Sequence, residues 1–357
     1  MDIYLVGGAV RDRFLGIPVR ERDYVVVGAT EDQMLDLDYK RVGSDFPVFL
    51  HPKTSEEYAL ARTERKIAPG HKGFECKSDS SVTLEEDLQR RDLTINAIAE
   101  SRNGEIIDPY GGQSDLDTRV LRHVSNAFVE DPLRILRIAR FKARFHHLGF
   151  DVHPTTTDLL RSMIADGLHR ELTPERVLLE FDKALGTDDP AEFFIFLEQL
   201  GAAQLLWPEI NLECTKRLAD STITDVESRF ALLMLDATHD EIQSLCQRLR
   251  MPRNRLELTI MVARHLNAWS NLAELSSADA VDLILSVDGV RRNKRFLQFN
   301  NICEQISDLG IQNQWSAILK VIQEVKARDL AIEADGPELG QLIRIEQVKR
   351  VAATLGR

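Results

Sequence analysis

The chain has 357 residues, of which 43% are hydrophobic and 29% charged, with 19 Gly and 12 Pro. A single hydrophobic core stops growing near ~250 to 300 residues, so two or more domains are expected. The composition excludes collagen-like, fibrous and disordered classes. A formal net charge of -12 argues against a protein that coats nucleic acid by bulk attraction, so an anionic ligand must meet a local basic surface.

No window approaches the ~18 consecutive apolar residues of a membrane span. The opening Met1 to Gly8 lacks the basic and long apolar regions of a signal peptide, so a cytoplasmic location and no membrane partner are expected. Cys76, Cys214, Cys246 and Cys303 stand far apart with no CxxC pair, which predicts reduced, buried thiols.

Residues 1 to about 125 alternate short β-rich runs with turns and helical stretches. The runs are Ile3 to Val6, Tyr24 to Val27, Val48 to Leu50, Tyr58 to Ala61 and Ile106-Ile107, and they predict an α+β head. Thr83 and Glu86 form a capping-box pattern, and the helix they open is predicted to continue through Leu88, Leu93, Ile95 and Ala97, with Arg90, Arg91 and Asp92 in its middle.

From Asp131 the periodicity turns helical, with Asp131 as cap and Pro132 at the first helical position. No strand signal of comparable strength returns. Breaks are predicted at Gly167, Thr173-Pro174, Gly186 to Pro190, Pro208, Pro252, Gly289, Gly310 and Gly336-Pro337. The expected fold class is therefore α+β, a mixed sheet with helices followed by an elongated all-α region.

Val6-Gly7-Gly8-Ala9-Val10-Arg11-Asp12 runs a strand into two glycines and a helical stretch. Gly8 would let backbone N–H groups approach a phosphate at a helix N-terminus, with Arg11 adding full charge; an ordinary strand-to-helix turn would carry the same residues. Glu21-Arg22-Asp23 precedes the second apolar run. On an extended chain Glu21 and Asp23 project to one side and Arg22 to the other, a spacing that can hold divalent metal and equally suits a charged loop. Glu57 is a third candidate carboxylate beside the surface acid Glu56.

Glycine turn, helix and carboxylate pair within 23 residues resemble the nucleotidyltransferase fold shared with DNA polymerase beta. Leu5 to Asp12, Arg90-Arg91-Asp92-Leu93-Thr94-Ile95-Asn96-Ala97, Asp108-Pro109-Tyr110-Gly111-Gly112 and Glu130-Asp131-Pro132-Leu133-Arg134 stand in the order and spacing of class II tRNA nucleotidyltransferases, the bacterial CCA-adding family. The resemblance is dense to about residue 150 and continues as Leu172 to Arg176 and Trp207 to Ile210.

It implies addition of C, C and A to the tRNA 3' end from CTP and ATP, with Glu21 and Asp23 as catalytic carboxylates holding Mg²⁺. The family usually reads Asp-x-Asp there, so Glu21 is a departure that adds a methylene. It also implies that Arg91 and Asp92 contact ribose and triphosphate, that Arg137 and Arg140 reach the triphosphate, and that Asp131 and Arg134 read the incoming base. Arg134, Arg137, Arg140 and Arg144 advance by three, three and four residues and so share one helical face.

The implied organisation is a catalytic head over 1–130, a helical nucleotide-recognition neck over 131–210, and a helical tRNA-binding body and tail over 211–357, aided by Arg291 to Arg295. No protein partner is expected. Some relatives carry an HD phosphohydrolase domain; here His239-Asp240 is the one such dipeptide in the C-terminal half and lacks a suitable upstream histidine, so that activity is expected to be absent. Poly(A) polymerases, enzymes that add only CC or only A, and a catalytically silent RNA-binding protein remain as alternative readings.

Overall fold

The computed structural model describes residues 1–42, 48–66, 74–77, 80–326 and 336–357. Two compact units divide it, Met1–Leu206 and Trp207–Arg357.

The first unit is built on a mixed seven-stranded sheet. Its strands are β1 (Asp2–Val6), β2 (Asp23–Val27), β3 (Lys40–Val42), β4 (Val48–Leu50), β5 (Glu57–Leu60), β8 (Ala99–Ser101) and β9 (Ile106–Ile107), in the order β3-β4-β5-β2-β1-β8-β9. Strands β6 (Thr63–Lys66) and β7 (Phe74–Lys77) form a separate hairpin. Central β2 runs antiparallel to β1, with Val6 opposite Asp23, and parallel to β5, with Asp23 opposite Glu57. Alternation along β2 sends Val25 into a cluster with Val6, Leu88 and Ala97, and Val26 into another with Met34, Phe49 and Leu60. The sheet is thus apolar on both faces where its strands are central, and Asp23 marks the polar end of β2.

Helices α1 (Gly8–Phe14), α2 (Glu31–Asp36), α3 (Leu84–Gln89) and α4 (Gly112–Asp117) decorate the sheet. Thr83 and Glu86 cap α3 reciprocally, as the sequence predicts, an arrangement worth about 1 kcal/mol. The predicted continuation of α3 is not found. The helix stops at Gln89, and Arg91 and Asp92 occupy the bend that leads to a single 3₁₀ turn at Thr94–Asn96 and then β8. The reason is local competition for the backbone. Asp92 accepts from the N–H of Leu93 at 2.8 Å, and the Thr94 N–H is taken by the Arg122 carbonyl at 2.9 Å, so neither remains for a helical ladder.

The first unit continues as α5 (Arg134–Phe145), α6 (Pro154–Ala165), α7 (Pro174–Leu185), α8 (Ala191–Gln199) and α9 (Ala203–Leu206). Regular α5 begins two residues later than predicted, although Asp131 does accept the Leu133 N–H at 3.1 Å. Six short strands were not among the predicted runs: β3, β6, β7, β8, β10 (Val120–Leu121) and β11 (Asp151–Val152), the last two only two residues long and paired in parallel. Two residues are too few to show a period.

The second unit is all helical: α10 (Cys214–Asp220), α11 (Val226–Leu233), α12 (His239–Arg248), α13 (Arg253–Ser270), α14 (Ser277–Ser286), α15 (Asn293–Ser307), α16 (Gln312–Glu324) and α17 (Gly336–Leu355). The predicted breaks at Pro208, Pro252, Gly289 and Gly310 fall outside these helices, whereas Gly336 and Pro337 open α17 instead of interrupting the chain before it. Its core gathers Trp269, Trp315, Phe296 and Phe299. Buried indoles need partners, and Trp269 donates to Asn300 at 2.9 Å while Trp315 donates to the Trp269 carbonyl at 3.1 Å. Cys214, Cys246 and Cys303 are buried free thiols; the Cys76 side chain lies outside the described residues. No helix among the described residues is long and apolar enough to cross a membrane.

Candidate active site

A cleft of about 1030 Å³ opens in the first unit. It is lined by Gly8, Arg11, Glu21, Asp23, Arg91, Asp92, Asp131, Arg134, Arg137 and Arg140, whereas Glu57, the third candidate carboxylate, is not among its lining residues. Eleven Lys and Arg side chains line it against six carboxylates, which supplies the local basic surface that the acidic chain requires.

The floor is set by the turn after β1. Gly7 has φ +67 and its N–H bonds the Ile98 carbonyl at 3.1 Å; an added Cβ would lie 2.8 Å from Arg91 Nη1, so glycine is needed for both conformation and space. Arg11, one turn into α1, is 3% exposed. Its guanidinium bonds Asn96 Oδ1 and Asp12, and lies over the rings of Phe141 and Phe145 at 5.4 and 5.1 Å. Burial pushes its pKa down to about 10 against the opposing pull of Asp12, with Arg144 adding to the fall, so it keeps its charge at neutral pH.

Asp23 opens β2, but Glu21 does not lie on the strand as predicted. The ladder with β1 ends where Val6 meets Asp23, because Gly7 turns away, so Glu21 and Arg22 sit in the preceding loop. The two carboxylates still line the same cleft, and Arg22 points elsewhere, 3.6 Å from Glu56. Partial burial raises the Asp23 pKa; Arg91 opposes this and the negative charge of Glu21 adds to it. Glu57 is level with Asp23 across β2 and β5, yet no three His, Cys, Asp or Glu side chains among the described residues group as a metal site. Two carboxylates with remaining positions open to phosphate oxygens are the donor set that suits Mg²⁺ better than an all-protein cage.

Arg91 is braced rather than free. Asp87, fully buried on α3, pairs with it at 3.2 Å and with Arg90 at 2.8 Å. Burial works to raise the Asp87 pKa, but the two arginines outweigh it and hold the carboxyl low. Asp92 is likewise desolvated, and there the Arg137 ion pair and the Asn96 and Arg137 hydrogen bonds win, keeping it well below the usual carboxylate range. Arg137 meets Asp92 at 2.6 Å, and that charge raises its own pKa against burial.

The α5 arginines share the cleft side of the helix, and opposite them Ile135, Leu136, Ala139 and Ala143 are buried. Lys142 lies off this face and pairs with Asp151 at 2.9 Å. Arg134 donates to the carbonyls of Ala127, at 3.1 Å, and Arg90. Arg140 and Arg137 both lean on Glu180 of α7, at 2.5 and 3.6 Å. Asp131 is gripped by Arg176, one turn before Glu180 on the same helix. Burial lowers the Arg140 pKa while Glu180 opposes the fall.

Asp12, Asp87, Asn96, Phe141, Arg176 and Glu180 were not singled out by sequence reasoning. Asp12, Asn96 and Arg176 stand within the quoted motifs, and the four-residue spacing of Arg176 and Glu180 was the available signal for a second helix face. His239 and Asp240 form the exposed first turn of α12 behind the cap Thr238, where a capping box with Glu241 accounts for the local sequence.

A glycine turn at a helix start, one acid opening a central strand with another in the loop before it, and an array of arginines around one cleft are the layout of a nucleotidyltransferase on a polymerase-beta-like sheet. The Poly A polymerase head domain model matches residues 3–122, and the model described as "Probable RNA and SrmB- binding site of polymerase A" matches 149–214. The chain is 47% identical over 334 residues to a CCA-adding enzyme of Coxiella burnetii (strain RSA 331 / Henzerling II), covering 92% of this chain and 88% of the relative. It is 42% identical to a multifunctional CCA protein of Thioalkalivibrio sulfidiphilus, with both chains covered in full. In fold it is similar to a solved CCA-adding enzyme in apo form II, with a TM-score of 0.73 at 22% identity, covering 99% of this chain and 91% of that one. The chain belongs to the class II tRNA nucleotidyltransferase family, that of the CCA-adding enzymes. Enzymes of this family generally use divalent metal ions.

Proposed function

We propose that this chain adds C, C and A to the 3' end of tRNA from CTP and ATP, without a nucleic-acid template, releasing pyrophosphate, with Glu21 and Asp23 holding Mg²⁺. The observation that carries the reading is the convergence of this acid pair, the Gly7-Gly8 turn and the α5 arginines on one cleft. Bound there, the metal would activate the tRNA 3'-hydroxyl and neutralise charge on the triphosphate. No nucleophilic side chain is required, because phosphoryl-type transfer relies on positioning and charge stabilisation.

The protein's own part is to orient the reactants. Arg11, Arg91, Arg137 and Arg140 bind triphosphate oxygens, and Asp92 fixes the ribose and the Arg137 fork. Asp131 accepts from the exocyclic amine that both C and A carry, and Arg134 donates to ring or carbonyl acceptors. G and U present other edges and leave these groups unpaired, which rejects them. Residues 1–130 act as catalytic head, 131–210 as nucleotide-recognition neck and 211–357 as tRNA-binding body and tail, with Arg291 to Arg295 on the RNA side. Substrate and triphosphates imply work in the cytoplasm, without a protein partner.

The test supplies purified protein and Mg²⁺ with tRNAs ending before CCA, after C or after CC, and with unstructured RNA, giving each NTP separately. Ordered C, C, A addition on tRNA is expected. Runs of A on any RNA would instead mark a poly(A) polymerase, addition of only CC or only A a specialised enzyme, and no incorporation a silent binder.

A further inference from the structure

Asn96 lies on the 3₁₀ turn between Asp92 and β8 and is 7% exposed. The turn is held from outside: Thr94 donates to Asp115 at 2.7 Å, and α4 approaches so closely that a Cβ on Gly112 would stand 2.3 Å from the Thr94 carbonyl. From this fixed position the Asn96 side chain reaches both sides of the cleft. Its Oδ1 accepts from Arg11, and its Nδ2 donates to Asp92 Oδ1 at 2.9 Å. A guanidinium only donates and a carboxylate only accepts, so the amide has one permitted orientation. The other Asp92 oxygen is left for Arg137, at 2.8 and 2.6 Å. The backbone carbonyl of Asn96 also takes a long hydrogen bond from Arg91, at 3.5 Å.

We infer that Asn96 is a positioning residue for nucleotidyl transfer: its neutral amide joins Arg11 to the Asp92–Arg137 pair and so sets the mutual orientation of the groups that grip the triphosphate and the sugar. This rests on the proposed nucleotide contacts of Arg11 and Asp92. Neutrality is the essential property. An amide satisfies a cation on one side and an anion on the other without cancelling either charge, whereas a carboxylate of the same shape would turn one anionic oxygen toward Asp92. The charged groups around the position are Arg11 and Asp12 from α1, Arg91 and Asp92 from its own segment, and Arg137 and Arg144 from α5.

The experiment measures kcat and KM for a single CTP incorporation into tRNA ending before CCA, from pH 5.5 to 8.5, for the parent, Asn96→Ala and Asn96→Asp. Asn96→Ala should lose on the order of 10²-fold in kcat/KM at every pH, because the groups it aligns are free to misplace. Asn96→Asp should match that loss at pH 8.5 and recover about tenfold or more relative to the parent as the pH falls, since a protonated carboxyl can donate to Asp92 and accept from Arg11 as the amide does. Filter retention of tRNA and urea unfolding accompany each variant.

A ratio of Asn96→Asp to parent that stays flat with pH, or an Asn96→Ala rate within twofold of the parent, overturns the inference. So does failure of Asn96→Asp to fold at any pH, which would make the residue a determinant of the fold alone. Because the pH ratio is taken within one folded variant, it decides the matter even if Asn96→Ala does not fold. A parent that incorporates no C sinks the functional reading itself, whereas an active parent with flat variants sinks only the role of Asn96.

Discussion

Arg176 holds Asp131 through both carboxylate oxygens, at 2.8 and 3.2 Å, across 45 residues of sequence. The acid proposed to read the base is thereby oriented from a neighbouring helix. Truncating Arg176 to Ala removes that brace and leaves Asp131 to rotate. Discrimination of CTP over UTP in kcat/KM should then fall by about tenfold, the scale of one weakened hydrogen-bonding site, while tRNA retention is unchanged. Single-nucleotide incorporation with each NTP checks it, and unaltered discrimination would separate Arg176 from base reading.

Asp23→Ala should reduce incorporation by at least about 10²-fold, the usual loss when charge stabilisation is removed from a transfer site, with tRNA binding on a filter largely intact. Glu21→Asp restores the acid usual in the family and should stay active. Unaffected incorporation in Asp23→Ala would remove the metal assignment.

Glu180 is 2% exposed and supports two arginines at once. Its replacement by Ala leaves Arg140 buried beside an unmet charge. Breaking a buried pair costs about 3 to 5 kcal/mol, and because the Arg137 side chain is one third exposed the lower end is expected. Equilibrium urea unfolding measures this. A change below about 1 kcal/mol would show that solvent replaces the carboxylate, as at a surface pair.

Asp87 and Asp92 both have depressed pKa values in the folded protein. A carboxylate held below its unfolded value of about 3.9 contributes stability above that value and loses it as the pH falls through the folded pKa. Unfolding free energy should therefore drop on acidification below about pH 4. In Asp92→Asn the drop should be shallower, although the variant is less stable at neutral pH. Parallel acid profiles for the two proteins would contradict the assignment.

Gly7→Ala meets two obstacles, positive φ and the Arg91 guanidinium at 2.8 Å. Holding an alanine at φ +67 and ψ -122, outside even the left-handed helical region, costs about 1 to 3 kcal/mol. A displaced Arg91 should also raise KM for CTP, so thermal unfolding and kinetics should both move; a shift in stability without one in KM would detach Arg91 from the nucleotide.

The sequence by itself determined five of the seven strands of the main sheet, the capped helix at Thr83, most of the helical punctuation after residue 131 and the family, because these rest on local periodicity, capping chemistry and short ordered motifs. It also singled out ten residues that line one cleft, though not Asp12, Asn96, Phe141 or Arg176, which line it too. Tertiary structure decided what those residues do to one another. Helical propensity could not show that the N–H groups of Leu93 and Thr94 would go to the Asp92 carboxylate and the Arg122 carbonyl, with α3 ending at Gln89. Nor could a periodic row of arginines show that Glu180, Arg176 and Asn96 hold its members and their neighbours in place. Those pairings join positions 40, 45 and 85 residues apart. Opposite charges attract through space, and only the folded chain determines which of them come within reach.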